Sequence, residues 1–92
     1  MTLQINHDPA SHRFTTQADG HEAELVYRLR DQALVIEHTG VPEAIGGRGI
    51  AGDLVRTALE YARAQGLRVV PACSYSAEFV KRHPEYADLV DG

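Results

Sequence analysis

The chain is poor in the residue types that build disulfide-linked, metal-bound or membrane-embedded proteins. It has no tryptophan, a single cysteine and five histidines among its 92 residues. One thiol cannot form an internal disulfide, and no C-x-x-C or H-x-x-x-H spacing occurs, so we expect no metal site. No apolar run approaches the roughly 20 residues that cross a bilayer, and the start lacks the basic and apolar regions of a signal peptide. These absences predict a cytoplasmic protein without a membrane partner.

The size and the charge of the chain further narrow the class of protein to which it can belong. The chain has 92 residues, of which 43% are hydrophobic, so we predict one small domain over residues 1–92. Its formal net charge of -4 argues against a dedicated nucleic-acid binder and allows neutral or basic partners. We expect a monomer or a weak dimer.

The first forty residues carry short apolar runs that are typical of strands. The runs cover residues 3–8, 13–17, 22–30 and 33–39. Within the third run, every second residue is apolar and predicts a strand with one buried face: Ala23, Leu25, Tyr27 and Leu29. Asp19-Gly20 and Asp31-Gln32 lie between runs, where they suit tight turns. We therefore predict an antiparallel β-meander.

From Gly49 the apolar period changes to that of a helix. The predicted buried side consists of Ile50, Leu54, Ala58, Tyr61 and Ala62, and Gly66 ends the helix. A short apolar strand, LRVVP, and a second helix, SYSAEFVKRH, follow, and His83 to Tyr86 form a structural corner. The predicted order is β-β-β-β-α-β-α, an α+β fold.

The stretch GGRGIAG, residues 46–52, contains the pattern G-x-G-x-x-G. A dinucleotide-binding unit would place an acidic residue at the end of the next strand, but Pro71, Ala72 and Cys73 stand there. A Walker A loop would have lysine after its last glycine, and Ile50 follows Gly49 instead. Two interpretations remain open. The loop binds an anion such as a pyrophosphate at a helix N-terminus, or its glycines serve a tight turn and close helix packing.

Four motifs occur together and in order between Glu37 and Val90: H-T-x-V-P, G-G-x-G-I-A, V-x-P-x-C-S-Y and R-H-P-E-Y. In this combination the chain closely resembles the small, single-domain GNAT-like acetyltransferases, trimmed members of the general N-acetyltransferase superfamily. The resemblance implies a GNAT-like fold and acetyl-coenzyme A as the cofactor. It also implies an N-acetyltransferase whose acceptor is an amine of unknown identity, in a small molecule or a protein lysine.

The resemblance further implies that the glycine loop receives the coenzyme A pyrophosphate. The loop residues are Gly46, Gly47, Arg48, Gly49, Ile50 and Ala51. The superfamily pattern is Q/R-x-x-G-x-G/A, and glycine stands at its first position here, so backbone donors and Arg48 would carry the phosphate contacts. Val41 would offer its backbone to the pantetheine amides.

The second helix supplies further candidates for coenzyme contact. Ser74 and Phe79 are candidates for contact with the coenzyme, and Lys81, with Arg82, for its 3′-phosphate. For Phe79 and its neighbour Tyr75 the alternative is plain core packing, and for the two cations it is solvation at a helix C-terminus.

Cys73 and His38 are the candidate catalytic residues. Cys73 lies between a strand and a helix start, where the helix dipole stabilises a thiolate that can take the acetyl group or line the thioester pocket. The alternative is a small apolar filler. His38 ends the fourth run and can accept an amine proton, or it can fix the bend of the chain there. Glu43 can act as the base in its place.

Two other functions stay open at this point. A chain this short could bind acyl-coenzyme A with little or no turnover, because it lacks the extra helices with which larger superfamily members hold an acceptor. It could also be a scaffold that pairs through a sheet edge, with a purely structural glycine loop.

Overall fold

A computed structural model describes residues 4–90, in which five strands and two α-helices follow in the predicted order. The elements are β1 (Asn6–Asp8), β2 (Arg13–Ala18), β3 (His21–Arg30), β4 (Ala33–Gly40), α1 (Ile50–Gln65), β5 (Arg68–Pro71) and α2 (Ser74–Arg82). Two short 3₁₀ helices, Glu43–Ile45 and Pro84–Leu89, complete the fold. Leu3, which begins the first predicted run, lies outside the described residues. No helix within residues 4–90 has both the length and the apolar character needed to span a membrane.

The strands form one sheet whose spatial order repeats their order along the chain. β1 to β4 pair antiparallel, as the predicted meander requires, and β5 pairs parallel to β4. Two-residue turns with positive φ at both positions join β2 to β3 and β3 to β4: Asp19 and Gly20, then Asp31 and Gln32. This conformation matches the right-handed twist of the flanking strands, which is why these sequences make tight hairpins.

The core lies between one face of the sheet and α1. Ala23, Leu25 and Tyr27 of β3 are buried there, as their alternation predicts, but Leu29 at the end of the strand is 46% exposed. The buried stripe of α1 is wider than predicted, with Ile50, Leu54, Val55, Ala58, Leu59 and Ala62. Tyr61 is only partly buried. Gly66 ends α1 with a left-handed φ of 71°, as predicted.

A β-bulge interrupts β4 and was not foreseen in the sequence. Val26 of β3 pairs with His38 while Tyr27 pairs with Ile36, so Glu37 is an extra residue on β4. Side chains of paired residues lie on the same face of a sheet. Thr39, opposite the buried Leu25, is therefore on the side of α1. His38 is on the other side, which we call the open face.

β4 and β5 separate before β4 ends. Their pairing runs from Ala33 with Arg68 to Ile36 with Pro71, and the carbonyl of Ile36 then accepts hydrogen bonds from both Ala72 and Cys73. Beyond this point β4 continues to Gly40 without β5 beside it. We call the gap between the last residues of β4 and the start of α2 the opening.

Candidate functional site

The glycine loop presents backbone donors at the start of α1. Gly47 and Gly49 have left-handed φ values of 77° and 79°, and Gly49 is the N-cap of α1 with no side chain capping the helix. The first N–H groups of a helix have no partner within the helix. A Cβ atom at either glycine would meet nothing within 4 Å, so backbone conformation rather than space favours glycine there.

This loop, the end of β4 and the start of α2 enclose a pocket of about 250 Å³. It is lined by Val41, Gly46, Gly47, Gly49, Ile50, Ala51 and Tyr75. The structure therefore brings together most of the residues that the resemblance implied for coenzyme contact. Tyr75, which the sequence could equally assign to the core, is 43% exposed and forms one wall.

Gly52, the last glycine of the stretch, does not line this pocket and lies where α1 faces α2. A Cβ atom on Gly52 would stand 3.4 Å from the hydroxyl of Tyr75 and 3.5 Å from the ring of Phe79. Both distances are ordinary van der Waals contacts, so space alone does not require glycine where α1 meets α2. Anion binding concerns Gly46, Gly47 and Gly49, which line the loop pocket, and it stays a prediction.

Arg48 does not line this pocket. Its guanidinium lies 2.6 Å from the carboxylate of Asp19, in the turn between β2 and β3, and its side chain is 48% exposed. A phosphate at the loop would have to compete with Asp19 for this cation. Both side chains are exposed, so the ion pair is weak, and phosphate contact by Arg48 stays a prediction.

A second, larger groove of about 450 Å³ runs along α2 and shares Tyr75 with the loop pocket. Its lining is Ser74, Tyr75, Glu78, Phe79, Arg82 and His83. Phe79 is 7% exposed and stacks on His83, with ring centroids 3.9 Å apart. Lys81 lies in another depression, with Val80, Ala87 and Val90, because adjacent helix residues point about 100° apart. Arg82, not Lys81, is the cation of the groove.

Cys73 is the N-cap of α2 and is half-buried at the opening. Its Sγ accepts a hydrogen bond from the N–H of Ser76 at 3.4 Å and donates to the Ser76 hydroxyl at 3.1 Å. The Thr39 hydroxyl is 3.7 Å from the same sulfur. Burial alone would raise the pKa of the thiol, but the hydrogen bonds from Ser76, Thr39 and the Tyr75 backbone outweigh it, so the pKa of Cys73 is lowered.

His38 lies close to Cys73 along the sheet but on its other face. Its ring covers Gly40, where a Cβ atom would come within 2.8 Å of Nε2, and its side chain is exposed. Within residues 4–90, the hydrogen bonds of the Cys73 sulfur go to Thr39 and Ser76 rather than to His38. Glu43 is exposed in the first 3₁₀ helix. The base assignment of His38, with Glu43 as its alternative, stays a prediction.

Thr39 and Ser76, the two hydroxyl partners of Cys73, were not predicted from the sequence. Ser76 is fully buried, and its hydroxyl also donates to the carbonyl of Cys73 at 3.0 Å. The spacing of Ser76 three residues after an N-cap could have indicated it. Among the described residues 4–90, no group of three histidine, cysteine or acidic side chains is arranged to hold a metal ion.

Known proteins resemble this chain over most of its length. A family model described as GCN5-related N-acetyl-transferase matches residues 13–89. Protein NATD1 of Bos taurus is 36% identical over 85 residues, covering 89% of this chain and 75% of the relative. Protein NATD1 of Homo sapiens is 34% identical with the same coverage, and that of Danio rerio is 32% identical, covering 96% and 84%. The solution structure of a GCN5-like protein from Staphylococcus aureus superposes with a TM-score of 0.78 at 29% identity, covering 98% of this chain and 89% of that one.

Proposed function

Because the chain belongs to the GCN5-related N-acetyltransferase family, we propose that it binds acetyl-coenzyme A and transfers the acetyl group to an amine. The loop pocket is the observation that carries this proposal. Unpaired N–H groups at the start of α1, together with the positive end of the helix dipole, favour a pyrophosphate there.

The rest of the coenzyme extends from the loop in two directions. The pantetheine arm runs from the loop pocket past Val41 to the opening, where the unpaired part of β4 offers backbone groups to its amides. The adenosine 3′-phosphate lies in the groove along α2, where Arg82 is the nearby cation. Ser74 and Phe79 line that groove, and Tyr75 connects it to the loop pocket.

In the transfer step, the acceptor nitrogen attacks the thioester carbonyl carbon. An N–C bond forms, the C–S bond breaks, coenzyme A leaves as a thiolate, and a base takes the proton of the amine. Cys73 and Thr39 lie on the helix side of β4, and His38 lies on the open face. This division supports direct transfer, in which Cys73 lines the thioester pocket and His38 receives the proton of an amine that arrives from the open face.

Isothermal titration calorimetry with acetyl-coenzyme A tests the loop assignment. Gly49→Ala places a side chain at a left-handed residue, which costs about 1 kcal/mol, and tilts the donors that face the pyrophosphate. We expect at least about a tenfold loss of affinity, since hydrogen bonds to a charged group contribute roughly 1.5–3 kcal/mol.

Gly66→Ala is the matched control for this variant. Gly66 has a φ of 71° and equal space around its Cβ, but it stands at the other end of α1. It should lose similar stability and keep its affinity for the coenzyme. Equal affinities of the two variants for acetyl-coenzyme A would show that the loop is not part of the binding site. Absence of binding by the native chain would reject the proposed function.

Intact-mass measurement tests the route of transfer. After incubation with acetyl-coenzyme A alone, we expect the native chain to stay unmodified while it still acetylates amines when they are added. A gain of one acetyl group that forms and discharges at the rate of turnover, and is absent from Cys73→Ala, would show transfer through an acyl-enzyme instead.

A further inference from the structure

The open face of the sheet carries a groove of about 410 Å³ along the seam between β4 and β5. Its lining consists of Arg28, Arg30, Asp31, Ala33, Val35, Val70 and Ala72. Val35 and Val70 are paired residues of the two strands, so they form an apolar floor. The groove lies on the face opposite the glycine loop pocket and α1.

One end of the groove meets the opening. Ala72 lines the groove, and its N–H shares the carbonyl of Ile36 with the N–H of Cys73, the next residue. His38 lies on the same face, further along β4. A molecule lying in this groove would therefore have one end beside the opening, on the same face of the sheet as His38.

Two arginines and one aspartate, Arg28, Arg30 and Asp31, line the rest of the groove away from the opening. Arg28 contacts Glu37 through Nε at 3.3 Å, and Arg30 approaches Asp31 through Nε at 4.0 Å. Both pairs are well exposed, and exposed ion pairs are weak. A ligand carboxylate can therefore compete with Glu37 and Asp31 for these two guanidinium groups. A guanidinium binds a carboxylate best through a pair of parallel N–H groups.

Building on the proposed acetyl transfer, we propose that this groove binds the acceptor and that the acceptor is a small amine carrying a carboxylate. The carboxylate lies on Arg28 and Arg30, the aliphatic part on Val35 and Val70, and the amine at the opening. The net charge of -4 favours a cationic acceptor in the far field, but the local cations decide what fits the groove.

The length of the groove sets the length of the acceptor. From Ala33, which pairs with Arg30, to Ile36 at the opening is three strand residues, or about 10 Å at 3.3 Å per residue. Arg28 pairs with Val35, so its long side chain reaches the carboxylate end from a position between these two. An amine and a carboxylate joined by a short aliphatic chain bridge this distance. 6-Aminohexanoate is therefore a suitable probe, with 6-amino-1-hexanol and 1,6-diaminohexane as neutral and cationic analogues of similar length.

Acetylation rates of these three amines test the proposal. With the native chain, we expect kcat/KM for 6-aminohexanoate to exceed that of either analogue by about tenfold, the usual effect of a charge-assisted hydrogen bond. Arg28→Gln should abolish this preference. Arg13→Gln is the matched control, because Arg13 lies on the same face but contacts Glu24 at 2.9 Å, outside the groove. It should keep the preference.

Equal rates for the three amines, or a preference that survives Arg28→Gln, would overturn the proposal. A titration with 6-aminohexanoate in the absence of coenzyme, followed by NMR, gives an independent result. We expect shifts of the Val35, Val70 and Ala72 amides, and their absence would also overturn it. If these shifts occur but acetyl-coenzyme A does not bind, the proposed function fails while the carboxylate site stands.

Discussion

Cys73 is more acidic than an ordinary cysteine because of the residues around it. Its half-buried position opposes ionisation, while hydroxyl and N–H groups of its neighbours stabilise the charged form. Ser76 donates its N–H to the sulfur, and its hydroxyl, which accepts from the neutral thiol, can turn to donate to the thiolate. Thr39 reaches the sulfur from β4. The reactivity of the thiol therefore depends on two side chains that lie outside the motif P-x-C-S-Y.

Replacing Ser76 should make this thiol less acidic. Ser76→Ala removes the hydroxyl donor, so the pKa of Cys73 rises and the thiolate fraction falls at any pH near neutrality. We expect the pH profile of iodoacetamide labelling to move to higher pH, with slower labelling at pH 7.5. The rate of labelling across pH, followed by intact mass, measures this.

Two further variants separate this change in the pKa of Cys73 from a general disturbance of the structure. Thr39→Val should move the profile in the same direction, because it removes the other hydroxyl with little change in volume. Thr57→Ala should not move it, since the Thr57 hydroxyl donates to Asp53 on α1. Unchanged profiles in both Ser76→Ala and Thr39→Val would contradict the explanation of the lowered pKa.

At the scale of single residues, the sequence predicts well where the backbone conformation of the residue matters. It predicts poorly where the direction of the side chain matters. Gly66 ends α1 with a left-handed φ of 71°, as its place after the apolar helix period predicts. Lys81 and Arg82 are neighbours with the same charge, and only the packing of α2 determines that Arg82 faces the groove. The helical period places Arg82 on the same face as Tyr75 and Phe79, but which face of α2 borders the groove follows only from packing.

Among the elements, α1 and the 3₁₀ helix Pro84–Leu89 are joined by one polar network. The Tyr86 hydroxyl donates to Glu60 at 2.6 Å and accepts from Arg56 at 3.3 Å. Arg63 donates to Asp88 at 3.0 Å and to the carbonyl of Glu85 at 2.9 Å. Since Tyr86 is buried, this network holds the last helix against α1.

Tyr86→Phe should destabilise the fold through this network. The variant removes one hydroxyl and leaves Glu60 and Arg56 without that partner, so we expect a loss of about 1 kcal/mol. Urea denaturation measures it, and the midpoint should fall by about 0.5 M. Tyr61→Phe is the control, because its hydroxyl makes no hydrogen bond within residues 4–90. Equal midpoints for the two variants would argue against the network.

The elements themselves were largely predictable, and the bulge was not. Alternating apolar residues and two-residue turns fixed the meander, and a change of period fixed α1, because both are local patterns. The bulge at Glu37 depends on how β3 and β4 register against each other, which no local pattern in either strand records. That bulge determines which face His38 occupies. The corner predicted at His83 to Tyr86 contains the start of a 3₁₀ helix.

At the scale of the whole molecule, the predicted GNAT-like fold and the N-acetyltransferase family are both confirmed. Four motifs in a fixed order were sufficient for this, because their spacing reflects the whole path of the chain. The acceptor was not predictable from them. The groove proposed to bind it is formed by three strands, and its lining residues are scattered from Arg28 to Ala72.

Stability of the whole molecule should fall in mild acid. His7 on β1 stacks on Phe14 with centroids 4.1 Å apart, and its Nε2 is 2.6 Å from the hydroxyl of the buried Tyr27. Burial lowers the pKa of His7 below the ordinary 6.5, with Asp8 opposing and His12 assisting. The unfolded chain therefore takes up this proton at a higher pH than the folded chain, so the free energy of unfolding decreases as pH falls below about 6.5.

His7→Gln tests this dependence, because glutamine can accept the Tyr27 hydrogen bond and does not titrate. We expect the free energy of unfolding, measured in urea at pH 7.5 and 5.0, to fall less on acidification than in the native chain. His21→Gln, at an exposed position on β3, should keep the native loss. If His7→Gln loses as much stability as the native chain, the acid sensitivity has another source.

The separation of β4 from β5 also bears on how the chain folds. Side-chain hydrogen bonds between strands of the meander join residues 11 to 20 positions apart, whereas Thr39 and Cys73 are 34 positions apart. Contacts between distant residues carry the larger entropic cost of loop closure and delay folding. The two sides of the opening therefore meet only when β5 docks on β4 after the helical crossover. Coenzyme binding would then report completed folding, because a meander formed by itself has one side of the site and nothing opposite it.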